Sequence, residues 1–117
     1  MVSIAEYKKQ LSTQKDRSIN KKNFAMKAES FGYKVEPEFK FCPSRKFRAD
    51  WKISKGNKSI LVEYEGINSL KSRHTTATGY TNDCTKYNIA QFEGYKILRY
   101  TTINFCNIFE DLDKFLN

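Results

Sequence analysis

Lys46-Phe47-Arg48-Ala49-Asp50-Trp51-Lys52-Ile53-Ser54-Lys55-Gly56-Asn57-Lys58-Ser59-Ile60-Leu61-Val62-Glu63-Tyr64-Glu65 reads as two strands and the turn between them. Residues 46–54 alternate, with Phe47, Ala49, Trp51 and Ile53 on one face and Arg48, Asp50 and Lys52 on the other. Residues 59–65 repeat the pattern, Ile60, Val62 and Tyr64 against Leu61, Glu63 and Glu65. Gly56-Asn57 is a good two-residue hairpin turn. Pairing Lys55 with Lys58 then fixes the register. Trp51 faces Val62, Ile53 faces Ile60 and Ala49 faces Tyr64, an apolar face, while Asp50 falls opposite Glu63, Arg48 opposite Glu65 and Lys52 opposite Leu61.

That register contains a conflict, because carboxylates directly opposite on a sheet repel each other. At roughly 5–6 Å and an effective dielectric of about 20, the cost is about 3 kcal/mol. A fold relieves it by raising one pKa, by supplying a cation or by binding a metal. Arg48 and Lys52 offer the second route, as plain salt bridges on a solvated face. Glu65 adds a third acid on the same face, and hard oxygen donors converging from two strands suit Mg²⁺, with Mn²⁺ able to substitute. An acidic spot on a basic chain is what a metal-assisted phosphodiesterase needs.

Outward from the hairpin, Ile4, Tyr7 and Leu11 predict a short helix over 4–14. A second helix is expected over 20–31, capped by Asn20, with Phe24, Ala28 and Phe31 on one face and Gly32 to end it. Val35 to Phe41 is strand-like, and Pro37 implies an edge position or a bulge. Downstream, a Gly/Ser/Thr-rich loop over 66–80 precedes a helix over 82–93 that Thr81 would cap and Gly94 would end. Tyr95 to Thr101 is a strand, and 104–116 a closing helix with Ile108, Phe109, Leu112, Phe115 and Leu116 inward. This order describes a small α/β or α+β domain.

The 117 residues have room for one domain, and 39% hydrophobic content excludes a disordered polymer. No apolar run reaches the roughly 18 residues of a membrane helix, and the first residues do not read as a secretory signal. Three widely spaced cysteines, Cys42, Cys84 and Cys106, suit a reducing compartment rather than a disulfide framework or a zinc site. A cytoplasmic protein is expected. The net charge is +8, and residues 1–27 hold Lys8, Lys9, Lys15, Arg17, Lys21, Lys22 and Lys27 against Glu6 and Asp16. A basic arm favours a polyanion such as nucleic acid. It lacks the apolar stripe that would insert in a membrane.

Asp50 followed by Glu63-Tyr64-Glu65 within one hairpin resembles the PD-(D/E)xK nuclease superfamily. Glu38-Phe39-Lys40-Phe41-Cys42-Pro43-Ser44-Arg45-Lys46-Phe47-Arg48-Ala49-Asp50-Trp51 resembles the lead-in of small phage and prophage endonucleases of the Holliday-junction-resolvase-like group. Leu61-Val62-Glu63-Tyr64-Glu65-Gly66 is similar to their central strand. Ser72-Arg73-His74-Thr75, Gly79-Tyr80, Asp83-Cys84, Lys86-Tyr87-Asn88 and Gly94-Tyr95-Lys96-Ile97-Leu98-Arg99-Tyr100-Thr101 continue the likeness, which spans roughly residues 23–102.

The resemblance implies a restriction-endonuclease-like core, a central mixed β-sheet of about four strands flanked by helices, over 20–117. Residues 1–19 form a basic arm or short helix outside it. It also implies a Mg²⁺-dependent endodeoxyribonuclease acting on double-stranded or branched DNA such as a Holliday junction, in the host cytoplasm if phage-encoded. Asp50 and Glu63 match the metal-binding acids. Glu65 stands where the superfamily usually has lysine, and Lys86 on the following helix is the candidate relocated lysine. His74 would orient a water, protonate the leaving oxygen or contact phosphate. Lys71, Arg73 and His74 in the loop, Lys21 and Lys22 in the basic segment, and Arg45 and Lys46 before the hairpin are the candidate DNA contacts. Symmetric cleavage of a junction would need two copies, hence a C2 homodimer. The alternative is a non-catalytic nucleic-acid-binding module on the same fold. Asp83 is a further acid or a helix-dipole partner, Glu38 an outlying candidate ligand, and Trp51 and Tyr64 belong to the core.

Overall fold

The computed structural model describes residues 2–65 and 76–117. The expected DNA contacts Lys71, Arg73 and His74 therefore lie outside the described residues. The elements are α1 (Ile4–Leu11), α2 (Phe24–Ser30), β1 (Lys34–Lys40), β2 (Arg48–Lys55), β3 (Lys58–Glu65), α3 (Ala77–Phe92), β4 (Ile97–Thr101), a 3-10 turn (Phe105–Asn107) and α4 (Ile108–Leu116).

The strands form one mixed sheet in the order β1-β2-β3-β4. β1, β2 and β3 pair antiparallel, and β4 lies parallel to β3. The hairpin register is the expected one from Lys55–Lys58 through Trp51–Val62. Gly56 takes φ +61° in the turn, a conformation that costs a residue with a Cβ about 1–2 kcal/mol. Pro37 lies on β1, which is an edge strand as its missing N–H requires.

Both faces of the sheet are covered. On one, Phe24 and Ala28 of α2, Phe105 of the 3-10 turn and Ile108, Phe109, Leu112 and Leu116 of α4 pack on Trp51, Ile53, Ile60, Val62 and Tyr100. Phe24 is fully buried, with ring centroids 4.7 Å from Trp51 and 5.8 Å from Phe109. On the other face, Ala90 and Ile89 of α3 pack with Phe41, Cys42, Ala49, Leu61, Tyr95 and Ile97. Sandwiching explains why β3 buries Ile60, Leu61 and Val62 in succession. The result is an α+β domain of three layers.

Several local expectations are corrected. Phe47 and Ala49 pack on the α3 side with Leu61, not with Trp51 and Ile53. The β1–β2 ladder pairs Pro37 with Trp51 and Phe39 with Ala49 but skips Glu38 and Asp50 between them, and Glu38 has φ +50°. The strands depart from plain alternation at Asp50. The second helix begins at Phe24, because the Asn20 carboxamide accepts the N–H groups of Lys22 and Asn23 in a preceding turn instead of capping a helix. α3 begins at Ala77 and is capped by Thr76, whose Oγ1 accepts from Gly79 N–H at 3.0 Å. Thr81 is inside the helix and donates to the Ala77 carbonyl. Phe115 is 41% exposed, whereas its expected companions are buried.

Residues 16–19 are tied to the core. Asp16 N–H donates to the Cys106 carbonyl at 2.9 Å, Ile19 packs against the aromatic cluster, and the Asp16 carboxylate holds Lys27 and Ser18. Among the described residues, no helix is long and apolar enough to cross a membrane.

Candidate functional site

The break in alternation at Asp50 sets the site. With the ladder ending at Trp51–Val62, Asp50 turns its carboxylate to the backbone of β3, and Oδ2 accepts from Tyr64 N–H at 2.8 Å. This corrects the expectation that Asp50 and Glu63 continue the ladder as a direct cross-strand pair. A backbone donor fixes one oxygen of Asp50. The other, Oδ1, faces the Lys21 ammonium at 3.8 Å.

Glu63 and Glu65, two apart on β3, share a face and are both buried. Lys86, one turn before the buried Ala90 on α3, reaches Glu63 Oε1 at 2.6 Å, and the Lys86 side chain is 16% exposed. Burial pushes the Glu63 carboxyl above the ordinary range. Lys86 opposes that shift, and the charges of Asp50 and Glu65 add to it. The acids therefore lie near enough to feel one another. The relocated-lysine candidate and the second expected ligand are in direct contact.

Glu65 is held on the other side. Arg99 Nη2 lies 3.3 Å from both Glu65 oxygens, and the Tyr87 hydroxyl donates to Oε1 at 3.4 Å. The Arg99 guanidinium lies over the Tyr87 ring, 4.0 Å from its centroid. Burial drives the Tyr87 phenol far above its usual range, so it serves as a neutral donor. Arg99 enters the site because the parallel register sets it beside Glu63. The sequence pattern does not single it out, although a charge inside Ile97-Leu98-Arg99-Tyr100 is a signal.

The cations differ from those of the simple salt-bridge alternative. Arg48 is exposed, and Lys52 stands 4.6 Å from the Phe39 ring and 3.8 Å from Glu36. Lys21, Lys86 and Arg99 attend the acids instead. Asp83 lies within α3 beyond its first turn, so a helix-dipole role does not apply. Lys22, Arg45 and Lys46 are exposed, with Arg45 5.6 Å from the Phe47 ring.

Among the described residues, no group of three or more His, Cys, Asp and Glu side chains is arranged to hold a metal ion. The pair Asp50 and Glu63 is nonetheless a hard-oxygen donor set. Among the described residues, neither Asp50 Oδ1 nor Glu63 Oε2 accepts a hydrogen bond. Magnesium is commonly held by one or two carboxylates, with waters and substrate phosphate completing its shell, so two donors suffice.

A cleft of about 580 Å³ lies away from the acids, lined by Lys8, Lys9, Ser12, Ser30 and Lys55 among others. Lys8 and Lys9 sit in the last turn of α1, where cations offset the negative end of a helix. No family model, curated protein or solved structure matches the chain.

Proposed function

We propose that this protein is a divalent-metal-dependent DNA endonuclease with a restriction-endonuclease-like core, hydrolysing phosphodiester bonds and selective for branched DNA. The observation that carries the reading is the juxtaposition of Asp50, Glu63 and Lys86: two carboxylates from adjacent strands and a half-buried ammonium at 2.6 Å from one of them. The order of elements and the two-faced sheet are compatible with the resemblance drawn from the motifs.

In this reading Asp50 and Glu63 hold Mg²⁺ or Mn²⁺. When bound, the ion lowers the pKa of a water and offsets charge on the scissile phosphate. The chain's own residues prepare the site. Tyr64 N–H orients Asp50, and Lys86 opposes the upward push that burial gives the Glu63 carboxyl. Arg99 and Tyr87 hold Glu65, the third acid of the cluster, beside them. Lys21, Lys22, Arg45 and Lys46 meet the phosphate backbone, joined by Lys71, Arg73 and His74. Paired cuts at a four-way junction call for a homodimer, and the setting is the cytoplasm.

A second reading, a binding module without chemistry, draws on the cation partner that each acid has. The two part on cleavage of linear, nicked, flap and four-way DNA with Mg²⁺ at fixed salt. The nuclease reading expects Mg²⁺-dependent products, most abundant on the junction. Binding without products on all four supports the module.

A further inference from the structure

We infer that Lys21 is a catalytic cation that meets the scissile phosphate and rests against Asp50 when no substrate is present; the inference rests on the nuclease reading. Lys21 is not a lysine of a loose arm. Asn20 Oδ1 accepts the N–H groups of Lys22 and Asn23 at 2.9 Å each, and Asn23 Oδ1 accepts that of Asn20 at 2.8 Å. The Asn23 amide reaches back to the Ser18 carbonyl at 3.1 Å, and Ile19 is packed in the core. This reciprocal clamp ties down the backbone on either side of Lys21, whose ammonium comes within 3.8 Å of Asp50 Oδ1.

The ion pair it makes is loose. Lys21 Nζ is 3.8 Å from Asp50 Oδ1, and the Lys21 side chain is 55% exposed. Lys86, by contrast, is 2.6 Å from Glu63 and 16% exposed. Lys86 and Arg99 are each paired with a buried carboxylate, Glu63 and Glu65. Among the cations the structure describes around the acids, Lys21 is the one not engaged with a buried carboxylate. Asp50 Oδ2 is fixed by Tyr64 N–H, so Oδ1, the oxygen facing Lys21, is the one a divalent cation would take. Like-charge repulsion then turns the ammonium away from Asp50. A phosphodiester oxygen, gaining negative charge toward the transition state, is the ligand class that suits it.

Two effects of opposite sign follow for Lys21→Gln. Removing one positive charge beside a divalent ion strengthens Mn²⁺ binding to the DNA-free protein about three- to tenfold at 0.1 M salt. Removing the phosphate contact slows single-turnover cleavage at saturating Mg²⁺ by about tenfold or more. Lys21→Arg restores most of the rate. The test pairs Mn²⁺ titration calorimetry without DNA with single-turnover cleavage of a four-way substrate, for wild type and both variants. Tighter Mn²⁺ binding with slower cleavage in Lys21→Gln supports the inference. Unchanged or weaker Mn²⁺ binding, or an unchanged cleavage rate, overturns it. A wild-type chain that neither binds Mn²⁺ nor cleaves overturns the nuclease reading and this inference together, whereas the variant results bear on Lys21 alone.

Discussion

Replacing Lys86 with Met removes the cation 2.6 Å from a carboxylate whose side chain is 7% exposed. Burial already pushes Glu63 above its ordinary pKa of 4.5, and Lys86 restrains that shift. Without Lys86 the folded-state pKa climbs further. Below about pH 4.5 the carboxyl is protonated in both the folded and unfolded chains, and the variant incurs no charge-burial penalty. Above it, the unfolded chain releases its proton first, so the folded state binds more protons and stability falls as pH rises. The slope is about 1.4 kcal/mol per pH unit until the folded-state pKa is passed. Breaking a buried ion pair costs about 3–5 kcal/mol, which sets the ceiling. Urea unfolding followed by the fluorescence of Trp51, in EDTA, reads this directly. With a urea slope of about 1–3 kcal/mol/M, the Lys86→Met midpoint lies about 1–3 M below wild type at pH 8, and the gap narrows at pH 5. Adding Glu63→Gln to Lys86→Met recovers most of the loss at pH 8. An equal gap at both pH values, or a wider one at pH 5, refutes the reasoning.

Three further outcomes are expected. Phe24→Ala, which empties a fully buried ring site between Trp51, Phe105 and Phe109, costs about 3–5 kcal/mol in urea unfolding. Tyr100→Phe removes the hydroxyl that donates to Asp111 at 2.7 Å and costs about 1–3 kcal/mol, with secondary structure by circular dichroism unchanged. Arg45→Ala with Lys46→Ala weakens DNA binding across sequences and flattens its salt dependence by about one unit of slope for each phosphate no longer neutralised, measured by anisotropy over a salt series.

How far the sequence is legible depends on the range of the interaction. The β2–β3 register is legible because a two-residue turn and strict alternation are local, and both hold as far as Trp51–Val62. Its end is not, because Asp50 leaves the ladder through a side-chain bond to Tyr64 N–H beside a positive-φ Glu38. The start of α3 is hidden by Gly79, which reads as loop. Once Thr76 caps the turn, Gly79 supplies the N–H that the cap needs. α3 also shows the sheet a partly polar face, Lys86 and Tyr87 beside Ala90, so apolar periodicity underdefines it. Lys86, the candidate relocated lysine, lies in contact with Glu63. Arg99 escapes sequence reading because its place beside Glu63 arises from a parallel pairing across a long connection, which no local pattern encodes. In the sequence, charge alone offers Lys21 as a candidate DNA contact. Its pairing with Asp50 lies beside the Asn20–Asn23 clamp, whose paired carboxamides resemble an ordinary cap in the sequence.

The nuclease account stands or falls on whether Asp50 and Glu63 support chemistry. Nicking of supercoiled DNA by wild type and Asp50→Ala, each in Mg²⁺ and in EDTA, measures that most directly. The account predicts nicking by wild type in Mg²⁺ alone and a loss of about a hundredfold or more in Asp50→Ala, with DNA affinity retained. Nicking that persists in the variant, or that EDTA fails to stop, contradicts it.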